Sequence, residues 1–552
     1  MATIAASNEL TAGADVERNA GLRRLYAEAA LAQVPRLLGA VDRNPFHDTY
    51  GCFDRQFWHY RTASFPSEMY QEAVLPLAFV YATPLEGNGW FGQPRLKELA
   101  VAALRFSARA SHRDGSCDDY YPFERALGAA VFSFQAATHA YELLELDEAD
   151  IVAWFRRRAE WISGHQETGK LSNHHALAAL GLARLAKITG ETRWLAAAQE
   201  RIRLVLAWQS SEGWFEEYGG ADPGYQTVTI DALAKLRRLT GDEQLDEPLK
   251  RAVAFAHLFL HPDGSYGGEY GSRGTYHFYP HGFELLAEND AAAADLADGF
   301  LSALANGRAA SFDDDRMYAH RLGNLIEAYL DWSPTRPERR RHSQHESHVL
   351  PQAGLLVHRD RDRTTIVSAF RGGVFKRFDD ACRPHTDTGI VIETDDGRHA
   401  VTQCHDRKRE MTWNNSGELH VAGPMHWVGH ETATPLKQAV FHVTMSTVGR
   451  WYRSLVRKLL QRRLITGRRE CGIRHERRFV FDGQGGCRIT DRIELLDRSV
   501  HVKRLAFASD LQAAYVAAGN VYQHSVLQPW TDLTGYIDEL NRQRHVDIVR
   551  DL

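Results

Sequence analysis

The chain holds only six cysteines in 552 residues, and no two of them stand as Cys-x-x-Cys. That argues against a zinc ribbon or a redox dithiol and fits a reducing compartment. No uncharged apolar run reaches the roughly 18 residues a membrane-spanning helix needs, so none is expected. There is no surplus of positive charge: 66 Lys and Arg against 71 Asp and Glu leave a net charge of -5. A global basic field of the kind that binds nucleic acid is therefore missing. The first residues, Met1 to Glu9, carry neither a basic n-region nor a long apolar h-region. No secretory signal is read there, and the expected location is cytoplasmic.

What is present is an ordinary globular composition, 44% hydrophobic and 25% charged, with 27 histidines. The length is too great for one core and predicts two large domains. Over about residues 14–333, within a first domain of 1–335, apolar residues recur at three- and four-residue spacing, as in Ala126 to Leu146, Asn173 to Thr189 and Arg193 to Trp208. Glycines at Gly190 and Gly241 read as helix stops. Short loops repeat: Asp114-Gly115-Ser116, Glu167-Thr168-Gly169, Glu212-Gly213-Trp214 and Asp263-Gly264-Ser265. They lie roughly 44 to 54 residues apart, room for two helices and their turns, so the pattern predicts stacked helical hairpins, either an open solenoid or a closed α/α toroid. Loops such as Asp118 to Pro122 and Tyr266 to Arg273 are rich in Tyr, Gly and Asp. Such a lining suits sugars, whose CH faces pack on aromatic rings while their hydroxyls need polar partners; the alternative is aromatics that simply plug the ring.

After Trp332 the character changes. Residues 336–345, with the charged run Glu338 to His342, read as a linker. Short strand-like runs follow: Gly354 to His358, Thr364 to Phe370, Gly389 to Thr394, Ala439 to Thr444, Arg478 to Asp482 and Cys487 to Leu495. They predict an antiparallel β-sandwich over 346–552. Inside it, the stretch 449–478 carries eleven Lys or Arg and two Glu, and Trp451 to Leu460 reads as a basic amphipathic helix. It is expected either to meet an anionic surface, a membrane leaflet or a glycan, or to be a solvated helix packed on the sandwich.

Three polar loops carry the chemistry: Ser172-Asn173-His174-His175, Gly219 to Tyr225, and Arg383-Pro384-His385-Thr386-Asp387. Asn, His and Tyr without a nucleophilic Ser or Cys suit removal of a proton beside a carboxylate, as in a uronic acid. The bland reading of Asn173 is a helix N-cap. A helical toroid followed by a β-sandwich, with Asn-His in one helical loop, Tyr in the next and His in the sandwich, resembles the heparinase II/III-like group of polysaccharide lyases and uronate C5-epimerases. The resemblance implies catalytic roles for Asn173, His174, Tyr225 and His385. Around them, His175 is expected to shape the site and Arg273 to meet a substrate carboxylate, with Trp214 and Tyr276 as further substrate contacts. His405 and Asp406 show no convincing metal-ligand spacing, so no metal or other cofactor is expected.

The function so implied is β-elimination on a uronate-containing glycan, and the partner an anionic oligo- or polysaccharide. The alternative is C5-epimerisation. A further alternative is a glycoside hydrolase using two of Asp118, Asp119, Glu216, Glu217 and Glu269, or a glycan-binding protein without activity.

Overall fold

The computed structural model describes residues 21–552 except 168, 312–315, 338–344, 415, 430–433, 462–468 and 513–526. The helical half alternates two kinds of helix. Val74–Ala82, Leu127–Leu143, Ser172–Thr189, Pro223–Thr240, the short His281–Glu284 and Tyr318–Asp331 are buried almost all round. Pro94–Ala110, Ala149–Gly164, Arg193–Ala207, Asp246–His257 and Ala291–Ala305 bury one face only. A helix that is apolar all round must sit inside, and an amphipathic one outside. Their alternation along the chain gives an inner and an outer layer, the α/α toroid.

The repeating loops have a steric cause. Gly115, Gly213 and Gly264 all take positive φ. A Cβ at these positions would collide with the carbonyl oxygens of Arg157, Arg251 and Gly299 on the next outer helix. Only glycine satisfies both the turn and this approach.

The second half is a pair of antiparallel sheets. The five-stranded sheet runs His345–Leu350, Leu355–Asp360, Arg363–Ser368, Val374–Phe378 and Pro384–Asp387 in sequential order. The larger sheet is built around Glu418–Val428, Arg469–Phe481 and Cys487–Leu495. Between the sheets Arg477, fully buried, meets Asp491 at 2.6 Å and Asp387 at 3.0 Å, and Arg550 reaches the same two carboxylates at 3.0 and 2.7 Å.

The halves share one core: Leu350, Leu355, Val357 and Ile366 of the smaller sheet, with Ala353 of its first turn, join the toroid's apolar cluster. Polar ties reinforce it. Arg371 donates to the carbonyls of Gly271 and Ser272 at 2.6 and 2.7 Å, and Lys376 pairs with Glu269 at 3.1 Å.

Two expectations need correction. Ala439 to Thr444 is not a strand but part of the helix Pro435–Ser446. Its β-branched residues suggested a strand, but Thr434 accepts from the backbone N–H of Lys437 and Pro435 opens the first turn, a helix start. The basic stretch 449–478 is not one surface either. It comprises the helix Arg453–Gln461, residues 462–468 outside the described set, and the start of a core strand in which Arg477 is buried. The charged linker run also lies outside the described residues, in 338–344.

Candidate active site

The first helix of the site, Ser172–Thr189, begins where Leu171 forms a lone β-bridge with Glu217. Asn173 is not its N-cap. Instead its backbone N–H and side-chain amide both donate to Glu217 Oε1, at 3.1 and 2.8 Å. A carboxylate from the neighbouring loop thus serves the helix's unpaired amide. Glu217 is buried, and that burial pushes its carboxyl up to about 7 in spite of the amide donors. The next residue, Tyr218, is held at φ 51°, where a side chain is strained. The strain places its ring 4.4 Å beneath the Arg273 guanidinium.

His174 is half-buried beside this pair. Its Nδ1 is hydrogen-bonded to Glu167 Oε2. Burial opposes the imidazolium, but the Glu167 carboxylate outweighs it, and the pKa of His174 stands above the ordinary value. Burial likewise opposes the charge of Glu167, yet the His174 and Arg457 cations hold it down to about 2. Arg457 belongs to the sandwich insertion and reaches Glu167 Oε1 at 2.5 Å. Gly128, on the adjacent inner helix, leaves room for the imidazole: a Cβ there would lie 2.7 Å from His174 Cε1.

Tyr225 sits in the first turn of Pro223–Thr240, whose N-cap Asp222 accepts its backbone N–H at 3.0 Å. The other oxygen of Asp222 accepts the Arg273 backbone N–H at 2.8 Å. One aspartate therefore ties the Tyr225 turn to the Arg273 loop. The Tyr225 hydroxyl makes no hydrogen bond among the described residues. Burial raises its pKa and the Arg273 charge works against that rise. Arg273 makes no ion pair among the described residues, and its Nε is buried without a partner. The charge of Glu217 is felt at both His174 and Tyr225. A chain of ring contacts, His174–Phe132–His320–Tyr279–His277–Tyr225, runs along the inside of the toroid between the two.

The structure thus ties Asn173 to Glu217, His174 to Glu167 and the Tyr225 turn to the Arg273 loop, with the Glu217 charge acting on both His174 and Tyr225 and Asn173 wholly buried. It does not bring in His385. That residue pairs in register with Arg377, while its neighbour Thr386 pairs with Lys376, the residue that faces toroid Glu269. Side chains alternate along a strand, so His385 points to the opposite face of the sheet. There it lies near Phe375, and Asp387 of the same motif anchors Arg477 and Arg550. His175 is also displaced: one residue on along a helix is about 100° around, and its ring packs on Trp208 with Nδ1 3.3 Å from Arg201. Trp214 is buried, its indole N–H on Glu212, which accepts the sandwich backbone N–H groups of Gln352 and Ala353. It braces the two halves. Tyr276 is buried at the same boundary, donating to Glu269 at 2.5 Å. None of these three lines the site.

Sequence reasoning gave Glu167 and Arg457 no place in the site, weighed His405 only as a metal ligand and met Glu217 only as a hydrolase carboxylate. His405 of the sandwich stands against Gly220, where a Cβ would lie 2.8 Å from its ring. A glutamate pair inside the Gly-rich loop before Tyr225 was a usable signal for Glu217. Nothing in the local sequence announces Arg457, which arrives from 290 residues away. No group of three or more His, Cys, Asp or Glu among the described residues is placed to hold a metal ion.

No family model matches the sequence, and no curated protein does. Among solved structures, the chain is similar to the chondroitin AC lyase of Streptomyces coelicolor A3 in complex with chondroitin sulphate, with a TM-score of 0.56 and 13% identity over 89% of this chain and 71% of that one. Heparinase III gives a TM-score of 0.47 and 10% identity over 77% of this chain and 62% of that one. The chain has the fold of the α/α-toroid and β-sandwich polysaccharide lyases.

Proposed function

We propose that this protein is a polysaccharide lyase that cleaves a uronate-containing glycan by β-elimination at the Tyr225 cleft. The observation that carries this reading is the pairing, among the described residues, of a guanidinium without an ion pair, Arg273, with a phenol hydroxyl without a hydrogen-bond partner, Tyr225, near His174, whose proton affinity the Glu167 carboxylate raises. Two cations at one end of a cleft suit a carboxylate, and a free hydroxyl next to them suits proton transfer at the adjacent carbon.

The geometry divides the work as follows. His174 keeps its Nδ1 on Glu167, so its Nε2–H is the donor left for a ligand. That donor and Arg273 bind the uronate carboxylate and stabilise the dianion formed when C5 loses its proton. A preorganised donor of this kind is worth roughly 3 to 4 kcal/mol in the transition state. Tyr225, as phenolate, takes the C5 proton. The C–H electron pair becomes the C4–C5 double bond, the C4–O bond breaks, and Tyr225 returns the proton to the leaving oxygen. The phenolate is costly in a buried setting, and the nearby Arg273 charge offsets part of that cost. Asn173 and Glu217 lie beneath and fix the end of the helix that presents His174.

The hydrolase alternative loses support because three of its five candidate carboxylates are engaged elsewhere. Glu269 is held by Tyr276 and Lys376, Asp118 accepts the backbone N–H groups of Phe123 and Arg125, and Glu217 holds Asn173. The test is incubation with a panel of uronate-containing glycans, following the ultraviolet absorbance of the new double bond and proton NMR in D2O. Cleavage with the double bond supports the reading. Exchange at C5 without cleavage would replace it with epimerisation, and cleavage without a double bond would replace it with hydrolysis.

A further inference from the structure

The insertion between the strands Glu418–Val428 and Arg469–Phe481 turns an apolar face to water. On the helix Pro435–Ser446, Leu436, Val440 and Val443 share one side and are 74%, 58% and 61% exposed, while Met445 is the buried residue of that helix. On Arg453–Gln461, Leu455 and Leu459 are one turn apart and each 56% exposed, and Trp451 just before them is 68% exposed. An amphipathic helix packed on its own protein turns such residues inward. Here the inward contacts are of another kind: Phe441 against the Tyr121 ring at 5.2 Å, Arg450 over Phe123 at 5.9 Å, and Arg457 on Glu167. The apolar side is left over. Its charge setting is one-sided too, for between Glu431 and Glu470 the chain has no acidic residue and nine Lys or Arg.

We propose that the helices Pro435–Ser446 and Arg453–Gln461 form a docking face for an anionic membrane leaflet. This goes beyond the proposed reaction and does not rest on it. Leu, Val and Trp at the surface of a cation-rich helix pair match a leaflet on both counts: shallow hydrocarbon for the apolar side chains and anionic headgroups for the cations. A polyanionic glycan would meet the cations but leave the Leu and Val side chains in water. A second copy of the chain would cover them but would set two like-charged faces against each other. Because Arg457 joins the insertion to Glu167, docking would hold the Tyr225 cleft next to the lipid surface.

The test is co-sedimentation of the full chain with phosphatidylcholine vesicles, with and without phosphatidylglycerol, at low and high salt. Binding to the anionic vesicles is expected, weakened about tenfold or more in neutral vesicles and again in high salt. Leu455→Asp with Leu459→Asp is expected to abolish it, as is Val440→Asp on the other helix. Circular dichroism and turnover of a soluble oligosaccharide should stay unchanged, since these exposed side chains touch neither the core nor the cleft. Absence of sedimentation with either vesicle, or sedimentation unaltered in both variants, overturns the proposal. So does lipid-independent self-association lost in the Leu455→Asp with Leu459→Asp variant, which would assign the face to a second copy, or retention on an immobilised polyanion without vesicle binding.

Discussion

His174 and Arg457 come from opposite halves of the molecule and share one carboxylate, each taking a different oxygen of Glu167. The shared anion sets the ionisation of the imidazole. Its effect on His174 is to raise the pKa, so the cation that the proposed mechanism needs is lost only as pH climbs through that raised value. Turnover should therefore fall on the alkaline side as His174 deprotonates. In Glu167→Gln the main support is gone while burial and the Arg457 charge still oppose the cation against the lesser help of Glu217, so the alkaline limb of kcat/KM should move to lower pH. An unmoved limb would separate His174 from the rate.

The same pair predicts a stability profile. Glu167 is depressed, so its contribution is present above the ordinary glutamate pKa and is lost as pH falls toward about 2. His174 is raised, so its contribution is present below the ordinary histidine pKa and is lost as pH rises through the folded value. Thermal unfolding of the native chain minus that of Glu167→Gln should be widest between roughly pH 4.5 and 6.5, the two ordinary pKa values.

Gly128 offers a steric test that leaves every charge in place. Its backbone is ordinary helix, where alanine gains about 0.5–1 kcal/mol over glycine. The added methyl, however, would lie 2.7 Å from His174 Cε1 and must push the ring away. Gly128→Ala is expected to keep or raise Tm and to lose activity, by about 100-fold for a displacement near 1 Å. Full activity would mean that the placement of His174 is not critical.

Tyr225→Phe and Arg273→Ala should fail in different ways. The first removes one hydroxyl that has no hydrogen-bond partner among the described residues, so kcat should drop roughly 100- to 10,000-fold while KM changes little. The second removes a carboxylate contact and the charge that eases phenolate formation, so both constants should worsen. Equal and small effects in the two would send the chemistry elsewhere.

His385 and Asp387 lie two residues apart yet should behave oppositely to what the sequence motif suggests. His385→Ala is expected to leave turnover unchanged. Asp387→Ala leaves Arg477 buried without one of its two carboxylates and should cost about 3–5 kcal/mol, read as a lower Tm. A catalytic defect in His385→Ala would restore its place in the mechanism.

The helical and strand halves were legible because their causes are local. Helix periodicity and the glycine-bearing loops are short-range demands, and the glycines recur because each must pass under the next outer helix. The placement of Asn173, His174 and Tyr225 at helix starts was readable because each start has its own punctuation, Asp222-Pro223 in the case of Tyr225. His385 misled because the face a strand residue takes is fixed by register, and the pairing of Arg377 with His385 is settled only once the sheet has formed. His175 misled for a similar reason, since helical rotation parts it from His174. Arg457 was beyond reach: its partner is 290 residues distant, and nothing near it marks the encounter.

Because one carboxylate serves two cations, the proton on His174 and the seat of the insertion helix are negatively cooperative ligands of Glu167. Arg457 lowers the proton affinity of the imidazole. By thermodynamic reciprocity, a proton on the imidazole weakens the hold on Arg457 by the same factor. The acid–base state of the cleft and the docking of a helix from the other half are thus two readings of a single equilibrium.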